Sequence, residues 1–178
     1  MKRSAFRTFI VLMMATALVV VAASMSFAAT SVKSVSYKGS GKVTVSYRTE
    51  VTYDDVDIAV KDNSGKTYDT SIKKSSASSI TFLIKNYKAG KSYKFTINGI
   101  KGGAVTGSFK IYSKAKAMAI AKSAAKSAWG VKQFSNVKAK SSTYRSQSTW
   151  KVSFQEGDHN YTYMVAQQTG KILWSERK

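Results

Sequence analysis

Cysteine is absent from this chain of 178 residues. Without a thiol there can be no disulfide framework, no cysteine nucleophile and no zinc site built on cysteine. A hydrophobic content of 43% is ordinary for a packed protein. We therefore expect a folded chain rather than a disordered one.

Histidine occurs only once, as His159 in the polar turn from Glu156 to Asn160. A general base needs an orienting acid and a nearby nucleophile, and Asp158 cannot easily face the same ring nitrogen from a turn. The sequence also lacks a G-x-S-x-G elbow, a phosphate-binding glycine loop and an H-E-x-x-H motif. We therefore predict a protein that is not an enzyme, with no catalytic residue and no cofactor.

Acidic residues number nine, and six of them fall in one stretch. They are Glu50, Asp54, Asp55, Asp57, Asp62 and Asp69. Clustered carboxylates can bind calcium, but their spacing lacks the order of an EF-hand loop. Because Asp62-Asn63-Ser64-Gly65 is typical of a turn, we predict an acidic patch that pairs with basic neighbours and no metal site.

Basic residues outnumber acids by a wide margin. The chain has 29 lysines and arginines; without Lys2, Arg3 and Arg7, 26 remain against nine acids, a net charge of +17. Such a chain attracts polyanions, among them wall or membrane phosphates and acidic polysaccharide, and salt weakens that attraction. The same charge is also sufficient to keep an exported β-rich protein soluble, and the sequence leaves both interpretations open.

Many basic residues directly follow an aromatic residue, as in Tyr47-Arg48 and Trp150-Lys151. Adjacent residues of a strand point to opposite faces, so the aromatic ring would enter the core while its basic neighbour faces solvent. No shared platform for stacking bases results. We therefore do not expect nucleic acid as a partner.

Residues 1–28 are typical of a secretory signal peptide. Three basic residues precede an apolar run from Phe9 to Ala23, and Ser26 and Ala28 are the small residues that a signal peptidase requires. We predict cleavage after Ala28 and a mature protein that is secreted or associated with the cell envelope. The alternative is an uncleaved membrane anchor, for which the apolar run is short.

Residues 29–111 form the first predicted domain. Short alternating runs are separated by turn signals such as Gly39-Ser40-Gly41, without an intervening helix pattern. Six or seven short strands in about 80 residues are typical of an antiparallel β-sandwich. The segment SITFLIKNYKAGKSYKFTI resembles fibronectin type III and related immunoglobulin-like domains: Tyr93, Phe95 and Ile97 match, while Ala89 replaces the usual proline.

Residues 112–178 form the second predicted domain, an α+β unit. A helix is predicted between Ser113, its N-cap, and Gly130, its C-cap. Its apolar face consists mainly of small residues: Ala117, Ile120, Ala121, Ala124 and Ala128. Strand patterns follow in NVKAKSS, STWKVSFQ, HNYTYMVA and KILWS, so we expect this face to pack on an antiparallel sheet. An exposed linker at about 110 to 116 is expected to join the two domains.

The second domain resembles a PepSY domain. The resemblance rests on the order of helix and strands, on Trp150-Lys151-Val152-Ser153-Phe154 and on Thr169-Gly170-Lys171-Ile172-Leu173, although Lys114, Lys116 and Ala166 stand where acidic residues are usual. It implies an exported, non-catalytic binding module with a protein partner, a peptidase being the first candidate, whose activity it would restrain. The rival hypothesis is a basic wall-associated protein that binds anionic cell-surface polymers or a membrane surface.

The last hairpin supplies most of the candidate binding surface. Tyr161, Tyr163 and Val165 are predicted to share one face with Ile172 and Trp174 across the Thr169-Gly170 turn. The candidate binding residues are Lys151, Lys171, Trp174, Arg177, Tyr161 and Tyr163. The whole chain is thus predicted to be mostly β, an antiparallel sandwich followed by a PepSY-like helix packed on an antiparallel sheet.

Overall fold

The computed structural model describes residues 31–178, and the predicted signal peptide with its cleavage site lies outside them. Within this range the chain is mostly β, with antiparallel sheets and one helix, as the alternating runs predicted. The strands before the helix are β1 (Val32–Gly39), β2 (Lys42–Tyr47), β3 (Tyr53–Asp62), β4 (Thr67–Tyr68), β5 (Thr70–Ser76), β6 (Ser79–Ile84), β7 (Ser92–Ile100) and β8 (Val105–Lys110). The helix α1 (Lys114–Trp129) is followed by β9 (Ser135–Tyr144), β10 (Gln147–Glu156), β11 (His159–Ala166) and β12 (Ile172–Arg177).

Two four-stranded sheets build the first core. Their strand orders are β1-β2-β6-β5 and β4-β3-β7-β8. Alternate residues of β6 are buried, namely Ile80, Phe82 and Ile84, because only one face of each sheet turns inward. Both sheets contribute to one hydrophobic cluster, in which the Phe82 and Phe95 rings lie 6.0 Å apart.

The third sheet has the order β12-β11-β10-β9, and α1 packs on one of its faces. Ser113 Oγ accepts a hydrogen bond from the Lys116 amide at 3.2 Å, and Gly130 ends the helix in a left-handed conformation. Both predicted caps are therefore confirmed. No helix within residues 31–178 has the length and apolar character needed to cross a membrane.

The buried face of α1 differs at two positions from the predicted one. Ala117 and Ala121 are fully buried against the sheet as predicted, but Ala125, which was not predicted, is buried with them, and Ala128 is exposed. Ala128 lies in the last helical turn, where the larger side chain of Trp129 makes the contact instead. The Trp129 ring lies 5.4 Å from that of Tyr161.

A bulge in the last hairpin changes the face on which Trp174 lies. Val165 pairs with Ile172, but Met164 pairs with Trp174, so one residue of β12 has no partner in β11. A shift of one residue reverses the face of every side chain beyond it. The predicted common face is therefore confirmed for Val165 with Ile172 and is wrong for Trp174, which shares the face of Met164.

The connection between the two cores is tied down at its start. Ile111 is buried, and the Tyr112 amide donates to the carbonyl of Gln167 at 2.7 Å. The indole Nε1 of Trp150 donates to the Tyr112 carbonyl at 2.8 Å. Gly170 lies so close that a Cβ atom there would come within 2.9 Å of the Tyr112 ring. The expected exposed linker is thus wrong for these residues, because the third sheet holds their backbone.

Candidate functional site

Tyr161 and Tyr163 are core residues and not surface residues, which corrects their place among the binding candidates. They are 1% and 2% exposed, respectively. Their rings stack on that of Phe154, with centroids 5.3 and 5.8 Å away. Alternation along β11 directs both tyrosines toward α1, and Trp129 covers them. Burial raises the pKa of the Tyr163 hydroxyl to about 12.

Lys151 and Trp174 lie on the opposite face of the same sheet. Lys151 is directly opposite Met164, and Met164 is directly opposite Trp174, so the three side chains share one row across β10, β11 and β12. Because α1 packs on the other face, we term this surface the open face. It is defined by Lys138, Lys140, Tyr144, Lys151, Ser153, Thr162, Met164 and Trp174.

Lys171 and Arg177 lie apart from this row. Lys171 is exposed in the turn between β11 and β12. Arg177 is directly opposite Tyr161, and its guanidinium lies 5.9 Å from the centre of the Tyr161 ring. The six predicted binding residues therefore do not form a single surface, and only Lys151 and Trp174 come together on the open face.

Two lysines that sequence reasoning missed complete the open face. Lys140 pairs directly opposite Lys151, and Lys138 lies two residues earlier on the same face of β9. All three line a shallow groove together with Ser153 and Thr162. The alternating lysines of NVKAKSS were the available signal, but only the pairing of β9 with β10 shows which strand they face.

The lysines of this groove have no acidic partner among residues 31–178. Two ion pairs occur there, Lys91 with Asp62 at 3.5 Å and Lys178 with Glu176 at 3.4 Å. Glu176 is the acid on the same face of the sheet, opposite Thr162, and its ion pair is with Lys178. The groove therefore combines three positive charges with hydroxyl donors, which is suited to an anion.

An aromatic pair lies at one end of the open face. The Tyr144 and Trp174 rings are 6.5 Å apart, and the Arg145 guanidinium lies 5.4 Å from the centre of the Tyr144 ring. Near them Thr149 is fully buried, with its hydroxyl 3.9 Å from the Met164 sulfur. This end is thus partly apolar, unlike the lysine groove.

The acidic stretch contains a turn built around Asp62. Its Oδ1 atom accepts hydrogen bonds from the Ser64 hydroxyl at 2.6 Å, the Ser64 amide at 2.9 Å and the Lys66 amide at 3.1 Å. These donors, the Ser64 hydroxyl first, hold the pKa of the Asp62 carboxyl well below its usual value. The interpretation of this segment as a turn is confirmed. No group of three or more potential metal ligands occurs within residues 31–178.

His159 stands at the first position of β11 with an exposed side chain. Its ring meets the edge of the Tyr161 ring at a centroid distance of 6.5 Å. The predicted exposure of His159 is confirmed, but its placement in the turn is wrong, because His159 pairs with Glu156 and the turn contains only Gly157 and Asp158.

Comparison with known proteins returns no match to this chain from family models, from curated proteins or from solved structures.

Proposed function

We propose that this chain is an exported, non-catalytic protein of the cell envelope that attaches to anionic polymers through its open face. The observation that carries the proposal is the position of Lys140 directly opposite Lys151, with Lys138 beside them. Like charges directly opposite each other on neighbouring strands destabilise a sheet. A bound anion would relieve that repulsion, so anion binding should stabilise the fold.

The placement of the aromatic residues favours an anionic partner over a peptidase. Protein interfaces are enriched in aromatic residues at their centres and depleted in lysine. Tyr161 and Tyr163, two of the three aromatic candidates, belong to the core. The open face around Lys151 therefore has more lysine side chains than exposed aromatic ones.

Salt-dependent retention on immobilised poly(glycerol phosphate) tests the proposal. In the variant Lys138→Gln, Lys140→Gln, Lys151→Gln, retention should fall, and the slope of log affinity against log salt should decrease by about 2 to 3. This estimate takes roughly 0.7 to 0.9 per phosphate contact, as for nucleic acids. The polymer should also raise the melting temperature of the unmodified protein more than that of the variant.

A second triple variant controls for net charge. Lys61, Lys94 and Lys101 are exposed on the first two-sheet unit, and Lys61 lies directly opposite Lys94, as Lys140 does opposite Lys151. Changing these three lysines to glutamine removes the same charge. If both triple variants lose retention equally, attachment depends on total charge, and the proposal that the open face is the site is wrong.

A protein partner is the second candidate, and the Tyr144–Trp174 pair favours it. Both side chains are only partly buried, and aromatic residues of this kind anchor protein interfaces. A peptidase or other partner bound there should remain attached at salt concentrations that abolish polymer retention. Tyr144→Ala with Trp174→Ala should then eliminate capture at high salt, whereas the lysine variant should not.

The finer description of the two units belongs to the same proposal. Two sheets that share one core support an immunoglobulin-like or fibronectin type III-like sandwich for residues 29–111. A helix followed by four antiparallel strands is compatible with a PepSY-like unit for residues 112–178. Export is tested by changing Leu18, Val19 and Val20 to aspartate, which should leave the protein unprocessed inside the cell.

A further inference from the structure

A polar cleft of about 340 Å³ lies between β1 and two turns of the third sheet. β1 contributes one wall, and the β9–β10 and β11–β12 turns contribute the other. Its charged and hydroxyl-bearing lining residues are Ser36, Lys38, Arg145, Ser146, Ser148 and Thr169. It is separate from the lysine groove of the open face.

The cleft is lined by positive charge and hydroxyl groups. Lys38 and Arg145 supply the charge, and no acidic residue is among the lining residues. Three serines and Thr169 add hydroxyls that can donate hydrogen bonds. The planar fork of an arginine matches the oxygens of a phosphate group, and a lysine adds a point charge.

The two walls are held together by the side chain of Gln168. Its Oε1 accepts from the Tyr37 amide at 2.8 Å, and its Nε2 donates to the Val35 carbonyl at 2.7 Å. The glutamine thus occupies the place of a neighbouring strand beside β1. Ser148 packs close to Gly39, where a Cβ atom would lie 2.9 Å from the serine hydroxyl. The cleft is therefore formed in advance, which lowers the entropic cost of binding a ligand.

The turn that presents Arg145 is strained. Tyr144 pairs with Gln147, so Arg145 and Ser146 form a two-residue loop, and their φ angles are +45° and +62°. Such loops favour Asn-Gly, because both central residues need positive φ. An arginine and a serine are unfavourable there for the backbone, yet both line the cleft. Strain of this kind is often found at functional sites.

We infer that this cleft binds the phosphate group of a phosphate monoester. Six lysine, arginine, serine and threonine side chains are among its lining residues, namely Ser36, Lys38, Arg145, Ser146, Ser148 and Thr169, and they carry more donors than the two oxygens of a carboxylate can accept from readily. A phosphate monoester offers three strong acceptor oxygens and a charge of up to −2. The inference does not depend on the open face, because the two sites share no lysine.

Nuclear magnetic resonance titration of the ¹⁵N-labelled protein with inorganic phosphate, at constant ionic strength against chloride, tests the inference. Saturable shifts are expected at the backbone amides of Arg145 and Ser146 and at the side-chain amide of Gln168. Lys38→Gln with Arg145→Gln should weaken phosphate binding by about tenfold or more, through loss of charge-assisted hydrogen bonds. The control, Lys61→Gln with Lys94→Gln, removes the same charge and should leave the affinity unchanged.

A second variant distinguishes loss of the phosphate site from loss of the fold. Arg145→Asn with Ser146→Gly suits the turn better than the native pair and should keep the fold while losing phosphate binding. Chemical-shift changes spread over the backbone amides of many lysines would overturn the inference. Equal losses of phosphate affinity in the cleft and control variants would overturn it too. So would phosphate affinity that survives in the Asn-Gly variant.

The phosphate monoester has two sources, which a further comparison separates. Soluble glycerol 3-phosphate should displace inorganic phosphate from the cleft if the natural ligand is a free monoester or one at a polymer's end. Sedimentation with vesicles of phosphatidic acid in phosphatidylcholine, dependent on Lys38 and Arg145, would instead identify a lipid headgroup. Either result supports the cleft as a phosphate site, whereas failure of both contradicts it. Retention dependent on Lys138, Lys140 and Lys151 is measured separately, so the open face is tested independently.

Discussion

Replacing Arg145-Ser146 with Asn-Gly should make the protein more stable. A residue with a Cβ atom in the left-handed region costs about 1 to 2 kcal/mol, and both residues are in that region. Glycine at 146 removes this cost, but it also destabilises the folded state by about 0.4 to 1 kcal/mol relative to the unfolded chain, because glycine raises the conformational entropy of the unfolded chain. Asparagine at 145 removes part of the cost of holding residue 145 in the left-handed region. This gain is offset by roughly 0.5 kcal/mol, because the contact of Arg145 with the Tyr144 ring is lost.

The net gain in the free energy of unfolding is therefore about 1 kcal/mol, which corresponds to a rise in melting temperature of about 2 to 4 °C for a chain of this size. Differential scanning calorimetry of the double variant and of each single variant measures it, with Ser146→Gly expected to supply most of the gain. A double variant that melts at or below the temperature of the unmodified protein would refute the reasoning. It would mean that Arg145 and Ser146 stabilise the turn through contacts worth more than the backbone strain.

Other predictions concern the core, the acidic turn and a buried hydroxyl. Ala121→Trp should lower the free energy of unfolding, measured in urea, by about 1 to 3 kcal/mol, because Ala121 is fully buried where α1 meets the sheet. The control Ala119→Trp, at an exposed position of the same helix, should have little effect. Asp62→Asn should destabilise the protein at pH 7. Because folding lowers the pKa of the Asp62 carboxyl, the difference in stability between the variant and the unmodified protein should shrink as pH falls below about 4. A difference in melting temperature that does not depend on pH would contradict this prediction. The Tyr163 hydroxyl has no hydrogen-bond partner within residues 31–178, so Tyr163→Phe should keep or raise the free energy of unfolding by up to about 1 kcal/mol, and a clear loss in urea would refute this.

Local patterns in the sequence were sufficient for most elements and for the caps of α1, although the six or seven strands predicted for residues 29–111 are eight, because the chain changes sheet between β4 and β5. Alternation along HNYTYMVA identifies β11, and Ser113 and Gly130 mark the ends of α1 because capping depends on a few neighbouring residues. The turn at Asp62 follows from the same kind of local chemistry. In each case the interactions that decide the structure join residues close together in the chain.

The candidate site could not be predicted in the same way, because it depends on register between strands. The bulge in β12 that turns Trp174 to the open face leaves no mark in the alternation of KILWS. Lys140 meets Lys151 only after β9 pairs with β10. Gln168 bonds to the backbone of β1, 131 residues away from Tyr37, a contact that no local pattern encodes.

The position of β9 links the two proposed anion sites. Lys140 lies on this strand, and Arg145 lies in the turn that follows it, five residues later; at about 3.3 Å per residue the separation along the strand is roughly 17 Å. A linear phosphate polymer that ends in a monoester could place this end in the cleft and its chain on the open face, and the second contact would then form at a high effective concentration. The cleft variant, Lys38→Gln with Arg145→Gln, should therefore weaken polymer binding far more than it weakens the binding of single phosphate ions. If the effect on the polymer is no larger than that on phosphate, the two sites act separately, and the cleft serves a small ligand instead.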